Sequence, residues 1–157
     1  MNKYMRLAFD EALLGMEAGD GGPFGAVVAD SATGEVIACE HNRVLQTNDP
    51  TMHAEIAAIR AACAKLGRFS LHDCVIYSSC MPCPMCMSAV MWAKIPKLYY
   101  GATAEDAAGG GFDDEYMYRF IKDGFADGTK LVIENIDAEE CKELFTHWNN
   151  KKSRTMY

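Results

Sequence analysis

Apolar residues recur at Met5, Ala8, Phe9, Ala12 and Met16, a spacing that lays one stripe along a helix, and Gly19 stands where such a helix would stop. The period then shortens. Residues 24–29 and 36–40 are runs of strand formers around Ser31-Ala32-Thr33-Gly34, which predicts a hairpin. A polar loop over 43–48 leads to Asp49-Pro50-Thr51, where Pro50 turns Asp49 away from helical geometry and Thr51 offers a cap. A helix is therefore predicted over 52–66, with Ile56, Ile59 and Cys63 on one stripe and Gly67 at its end.

Residues 74–77 read as a third strand, 84–93 as a helix that Ile95-Pro96 breaks, and 98–100 as a fourth strand. Strand, helix and strand in succession imply parallel neighbours, so hairpin and crossover together predict a mixed sheet. Gly109-Gly110-Gly111 belongs in a loop, ahead of a helix over 114–121. Residues 131–133 suggest a fifth strand, and 138–148 a last helix before a polar tail ending in Tyr157. With no internal repeat, low-complexity tract or linker, the expectation is one α/β domain over 1–157. Its predicted architecture is a three-layer α/β/α sandwich around a central mixed five-stranded sheet.

Composition narrows what such a domain does. Half of the 157 residues are hydrophobic, enough for a real core, and no apolar run is long enough to span a membrane. The net charge of −7 argues against a broad phosphate-binding surface, so a small substrate is expected rather than nucleic acid. Lys151, Lys152 and Arg154 read as a solvated tail. Asp10 and Glu11 interrupt the first apolar stripe, unlike a signal-peptide core, which points to the cytoplasm. Cysteines stay reduced there, so a Cys and His cluster among the seven cysteines suggests metal rather than disulfides.

Cys83 and Cys86 are spaced C-x-x-C, and Pro84 suits the first position of a helix, which puts both sulfurs on one opening turn at the positive end of its dipole. That setting favours thiolates. His53, at the tip of the preceding helix, would add a nitrogen and leave zinc one open tetrahedral position, as catalytic sites have. On a regular helix His53 and Glu55 point about 200° apart, so they share a target only off the helix tip. Glu55 could then carry a proton from a polarised water to a leaving group.

Rival readings of these residues are a redox pair and a structural zinc with Cys80 as fourth ligand, since Cys80-x-x-Cys83 is a second C-x-x-C. His41, His72 and His147 lack ligand spacing and read as surface or hydrogen-bonded histidines. Cys39, Cys63, Cys74 and Cys141 read as small buried hydrophobes. Asn42 is a turn residue or a base reader, Phe24 core by pattern, and Asp114 a helix-cap residue or an acceptor for a base N–H. Trp92 is core or a flat pocket wall, Tyr157 a frayed end, and Glu143 a solvated charge.

His53-Ala54-Glu55 followed by Pro82-Cys83-Pro84-Met85-Cys86 resembles the signature of the cytidine deaminase superfamily. With Gly22-Pro23-Phe24-Gly25-Ala26-Val27, Asn48-Asp49-Pro50-Thr51-Met52, Gly111-Phe112-Asp113-Asp114 and the terminal Tyr157, nearly the whole chain is similar to the bacterial guanine deaminases. Met81 departs from the Glu that many relatives carry there, a position on which sulfur ligation does not depend. The resemblance implies one Zn2+ per chain on His53, Cys83 and Cys86, Glu55 as proton carrier, and hydrolysis of guanine to xanthine and ammonia. Asn42 and Asp114 would read the base, with Phe24, Ala54, Trp92 and Tyr157 around it and Glu143 as a second proton carrier. It further implies a homodimer in which the segment from about 137 to 157 crosses to the partner. The alternatives are a tRNA adenosine deaminase, a deaminase of another aminopurine or triazine, and a zinc-stabilised interaction module without activity.

Overall fold

The structure, a computed structural model, describes residues 1–156. Met1–Glu115 form one compact unit and the chain from Tyr116 onward a second. The order in the first is α1 (Lys3–Ala18), β1 (Gly25–Asp30), β2 (Val36–His41), α2 (Val44–Thr47), α3 (Ala54–Leu66), β3 (Cys74–Cys80), α4 (Pro84–Trp92), β4 (Lys97–Ala102) and α5 (Ala104–Gly109). α6 (Glu115–Lys122) straddles the boundary, and α7 (Ala138–Asn150) lies in the second unit.

Four strands form one mixed sheet in the order β2-β1-β3-β4. β1 pairs antiparallel with β2 and β3, and β3 pairs parallel with β4. The hairpin closes on Asp30, whose Oδ1 accepts the N–H groups of Ala32 and Thr33 at 2.9 and 2.7 Å. Gly34 follows at φ +74°, left-handed backbone that favours glycine. The expected fifth strand is absent among the described residues. Leu131, Val132 and Ile133 carry strand propensity, but they lie exposed outside regular structure, since propensity supplies no pairing partner.

Alternation along the central strands divides the core in two. Ala26, Val28 and Ile76 face α3 and α4, packing with Ala54, Ala58, Ala62 and Val90, while Val27, Ala29, Val75 and Tyr77 pack with Ala8 of α1. The sheet is thus covered on both faces. The buried stripe of α1 differs from the one the sequence suggests: Ala8, Ala12 and Gly15 point inward, and Phe9 and Met16 are exposed. Close approach is the reason, because a Cβ at Gly25 of β1 would overlap the Ala8 carbonyl. α3 likewise turns Ala54, Ala57, Ala58 and Ala62 inward and leaves Ile56, Ile59 and Cys63 half-buried. Of the other cysteines expected inside, Cys74 is buried and Cys39 half-buried. Cys141 is exposed, on a helix with no buried residue.

Candidate active site

Two helix N-termini supply the site. Asp49 Oδ1 accepts the Thr51 N–H at 2.8 Å and its hydroxyl at 2.6 Å, so that hydroxyl is engaged and does not cap the helix. The turn runs on, α3 begins at Ala54, and His53 becomes its N-cap in extended geometry, φ −69° and ψ 160°. This departs from the predicted helix start at Met52 and removes the objection to His53 and Glu55 sharing a target. Cys83 caps α4 in the same way, with Pro84 next and Cys86 at the third helical position.

His53 Nδ1 lies 3.6 Å from Cys83 Sγ and 3.5 Å from Cys86 Sγ, and all three ligand atoms fall within 4.8 Å of one another. A tetrahedral zinc, with Zn–S about 2.3 Å and Zn–N about 2.0 Å, sets an N···S edge of about 3.5 Å, so the donor set fits the ion. The Cys86 thiol, then His53, hold the Cys83 thiol down at about 4, and Cys83 with burial pushes Cys86 up. A divalent cation would bind both sulfurs as thiolates. Cys80 does not join them. It is buried at the end of β3 with its Sγ donating to the Thr103 carbonyl at 3.4 Å, so His53, Cys83 and Cys86 are the residues that would hold a zinc.

Glu55, 5% exposed, lines the cavity beside His53 and Cys83. Ser78 Oγ donates to its Oε1 at 2.8 Å, and burial pushes its carboxyl up. A carboxyl that readily holds a proton beside a cation site is suited to proton transfer.

The cavity measures about 490 Å³. Gly21, Gly22, Phe24, Asn42, Phe112, Asp113 and Asp114 are among its lining residues. Phe24 and Phe112 meet edge to face at 4.9 Å. The Asn42 Oδ1 accepts the Val44 N–H at 3.1 Å, and its amide NH2 is by chemistry a donor. Desolvation, then Cys83, raises the Asp114 carboxyl.

Two expected pocket residues, Ala54 and Trp92, are not brought to this cavity. Ala54 is wholly buried in the core between α3 and the sheet. Trp92 is 64% exposed and lies with Ser88, Met91 and Lys94 in a separate shallow pocket, because α4 turns Pro84, Cys86 and Val90 inward. Tyr157 lies outside the described residues. Glu143 is exposed on α7 of the second unit. Sequence reading missed Ser78, although a lone hydroxyl among Cys74 and Ile76 on the α3 side of β3 was the available signal. Of the two readings of His41, surface or hydrogen-bonded, the structure shows the second: its ring is buried between the carboxylates of Glu11 and Asp20.

A three-layer α/β fold with a His, Cys and Cys donor set and a buried Glu beside it defines a zinc hydrolase of the nucleobase deaminase type. Residues 1–102 match the cytidine and deoxycytidylate deaminase zinc-binding region, and the chain belongs to that family. It is 41% identical to the guanine deaminase of Bacillus subtilis over 98% of its length and 97% of that protein. The crystal structure of the Bacillus subtilis guanine deaminase superposes with a TM-score of 0.93 over 100% of this chain and 99% of that one. A tRNA-specific adenosine deaminase of Agrobacterium fabrum is 44% identical over 95% of this chain and 93% of its own. The guanine deaminase structure from Nitrosomonas europaea matches with a TM-score of 0.67 and 34% identity, over 71% of this chain and 63% of that one.

Proposed function

We propose that this chain is a guanine deaminase, converting guanine and water to xanthine and ammonia. The observation that carries the reading is the His53, Cys83 and Cys86 donor set with the buried Glu55 beside it, opening on a cavity with Asn42 and Asp114 on its walls. One Zn2+ per chain, held by His53, Cys83 and Cys86, would supply Lewis acidity that lowers the pKa of water. Glu55 takes a proton from the attacking water, passes it to a ring nitrogen, and later delivers a proton to the departing amine. Ser78 fixes the carboxylate during these transfers.

Donor and acceptor placement supports guanine. The Asn42 amide donates and Asp114 accepts, whereas guanine presents a carbonyl oxygen together with N–H and amine donors. Phe24 and Phe112 offer flat apolar contact to the ring. Similarity to a tRNA-specific adenosine deaminase supports the second reading, but a net charge of −7 weighs against a phosphate-rich substrate.

The segment from about 137 to 157 crosses to a partner subunit in a homodimer, and the whole chain serves one deaminase domain. Support comes from the second unit, which leaves the apolar side chains of Ile136, Leu144 and Phe145 exposed, where a partner would cover them. Seven free cysteines fit a reducing, cytoplasmic setting, and no helix among the described residues is long and apolar enough to cross a membrane. Ammonia release from a panel of free bases, nucleosides and a tRNA anticodon stem-loop tests the reading. Guanine should lead and Glu55→Gln should keep zinc while losing most turnover. Deamination of the RNA alone, or full activity in Glu55→Gln, would contradict it.

A further inference from the structure

The proton chemistry leaves one buried polar cluster unused. His41, 5% exposed at the end of β2, has Nδ1 2.7 Å from Glu11 Oε1 of α1 and Nε2 2.9 Å from Asp20 Oδ2 in the loop after α1. Each ring nitrogen thus faces a carboxylate oxygen. α1 is pressed against the ring, since a Cβ at Gly15 would overlap it. None of the three belongs to the His53, Cys83 and Cys86 donor set.

What the cluster holds is the base-reading wall. Asp20 acts twice: its carboxylate takes His41, and its carbonyl accepts the Leu45 and Gln46 N–H groups at 3.0 Å each, which fixes the start of α2. The next residue, Gly21, packs so closely on Asn42 that a Cβ would overlap Oδ1. Asn42 follows His41 directly, and its N–H donates to the Phe24 carbonyl at 2.9 Å. Gly21, Phe24, Asn42 and Leu45 all line the cavity. The catalytic wall hangs instead on the tips of α3 and α4.

We infer that Glu11, His41 and Asp20 are positioning residues for base binding: the trio clamps the loop after α1 to the end of β2 and so sets Asn42 and Phe24 against the substrate. This rests on the guanine deaminase reading. Loosening the clamp weakens binding of ground state and transition state alike, which raises KM and spares kcat.

Steady-state kinetics on guanine test it, with direct guanine titration in the Glu55→Gln background as a second readout. Asp20→Ala keeps the backbone carbonyl that caps α2, and it should raise KM about tenfold with kcat within about twofold. Asp20→Asn, which keeps an acceptor oxygen, should restore most of the loss. His41→Gln should follow Asp20→Ala; should it not fold, Asp20→Ala decides, its side chain being nearer the surface. Guanine affinity in the Glu55→Gln background should fall by the same factor as KM rises. A KM within twofold of wild type in Asp20→Ala, or a loss confined to kcat, overturns the inference while the parent enzyme still turns over guanine. A parent that neither binds nor deaminates guanine instead sinks the substrate reading, and the inference with it.

Discussion

Ser78 Oγ donates to Glu55 Oε1 at 2.8 Å, and both side chains are almost wholly withdrawn from solvent. The strand that ends in Cys80 therefore also aims the carboxylate at the tip of α3. A single hydrogen bond to a charged group is worth about 1.5–3 kcal/mol. Ser78→Ala should lower kcat roughly tenfold, with KM within about twofold and zinc content unchanged. Unchanged kcat would mean that Glu55 is held by its helix alone.

Cys80 and Cys83 are separated by two residues yet do different work. Cys80→Ala should retain one zinc per chain, because its thiol is spent on the Thr103 carbonyl. Cys83→Ala and His53→Ala should each lose most of the metal. Metal analysis after gel filtration checks this, and loss of zinc from Cys80→Ala would restore the structural-zinc alternative.

Asp114 borders the cavity as an acceptor. Asp114→Ala should raise KM for guanine by about tenfold or more, since a base N–H loses a charged partner. Activity on a purine without those donors should change little. Equal losses on both would assign Asp114 to folding of its loop rather than to recognition.

Gly25 lies where α1 meets the sheet, and a Cβ there would overlap the Ala8 carbonyl. Gly25→Ala should destabilise the protein by ~1–3 kcal/mol, the range for overpacking. Urea unfolding at constant zinc measures it. An unaltered midpoint would show that α1 moves away freely.

The spacing of Cys83, Pro84 and Cys86 by itself puts two sulfurs on a helix tip, because proline is suited to a first helical turn. His53 and Glu55 were legible as a pair, but not how they converge; that depends on Asp49 claiming the Thr51 hydroxyl and delaying the helix start. The inward stripes of α1 and α3 were misread for another reason. Hydrophobicity ranks Phe9 and Ile56 above alanine, yet how closely a helix lies on a sheet is a tertiary quantity that admits only small side chains. Trp92 was ambiguous because the inward face of α4 follows from where Cys86 and Val90 pack. For His41 the sequence allowed a hydrogen-bonded ring but could not name its partners, since Glu11 and Asp20 are 30 and 21 residues away.

Zinc K-edge X-ray absorption on the purified protein reads the coordination shell directly. Two sulfurs at about 2.3 Å and two nitrogen or oxygen neighbours at about 2.0 Å are expected, one from His53 and one from solvent. Three or four sulfurs around the metal would put Cys80 in the shell and close the position on which hydrolysis depends.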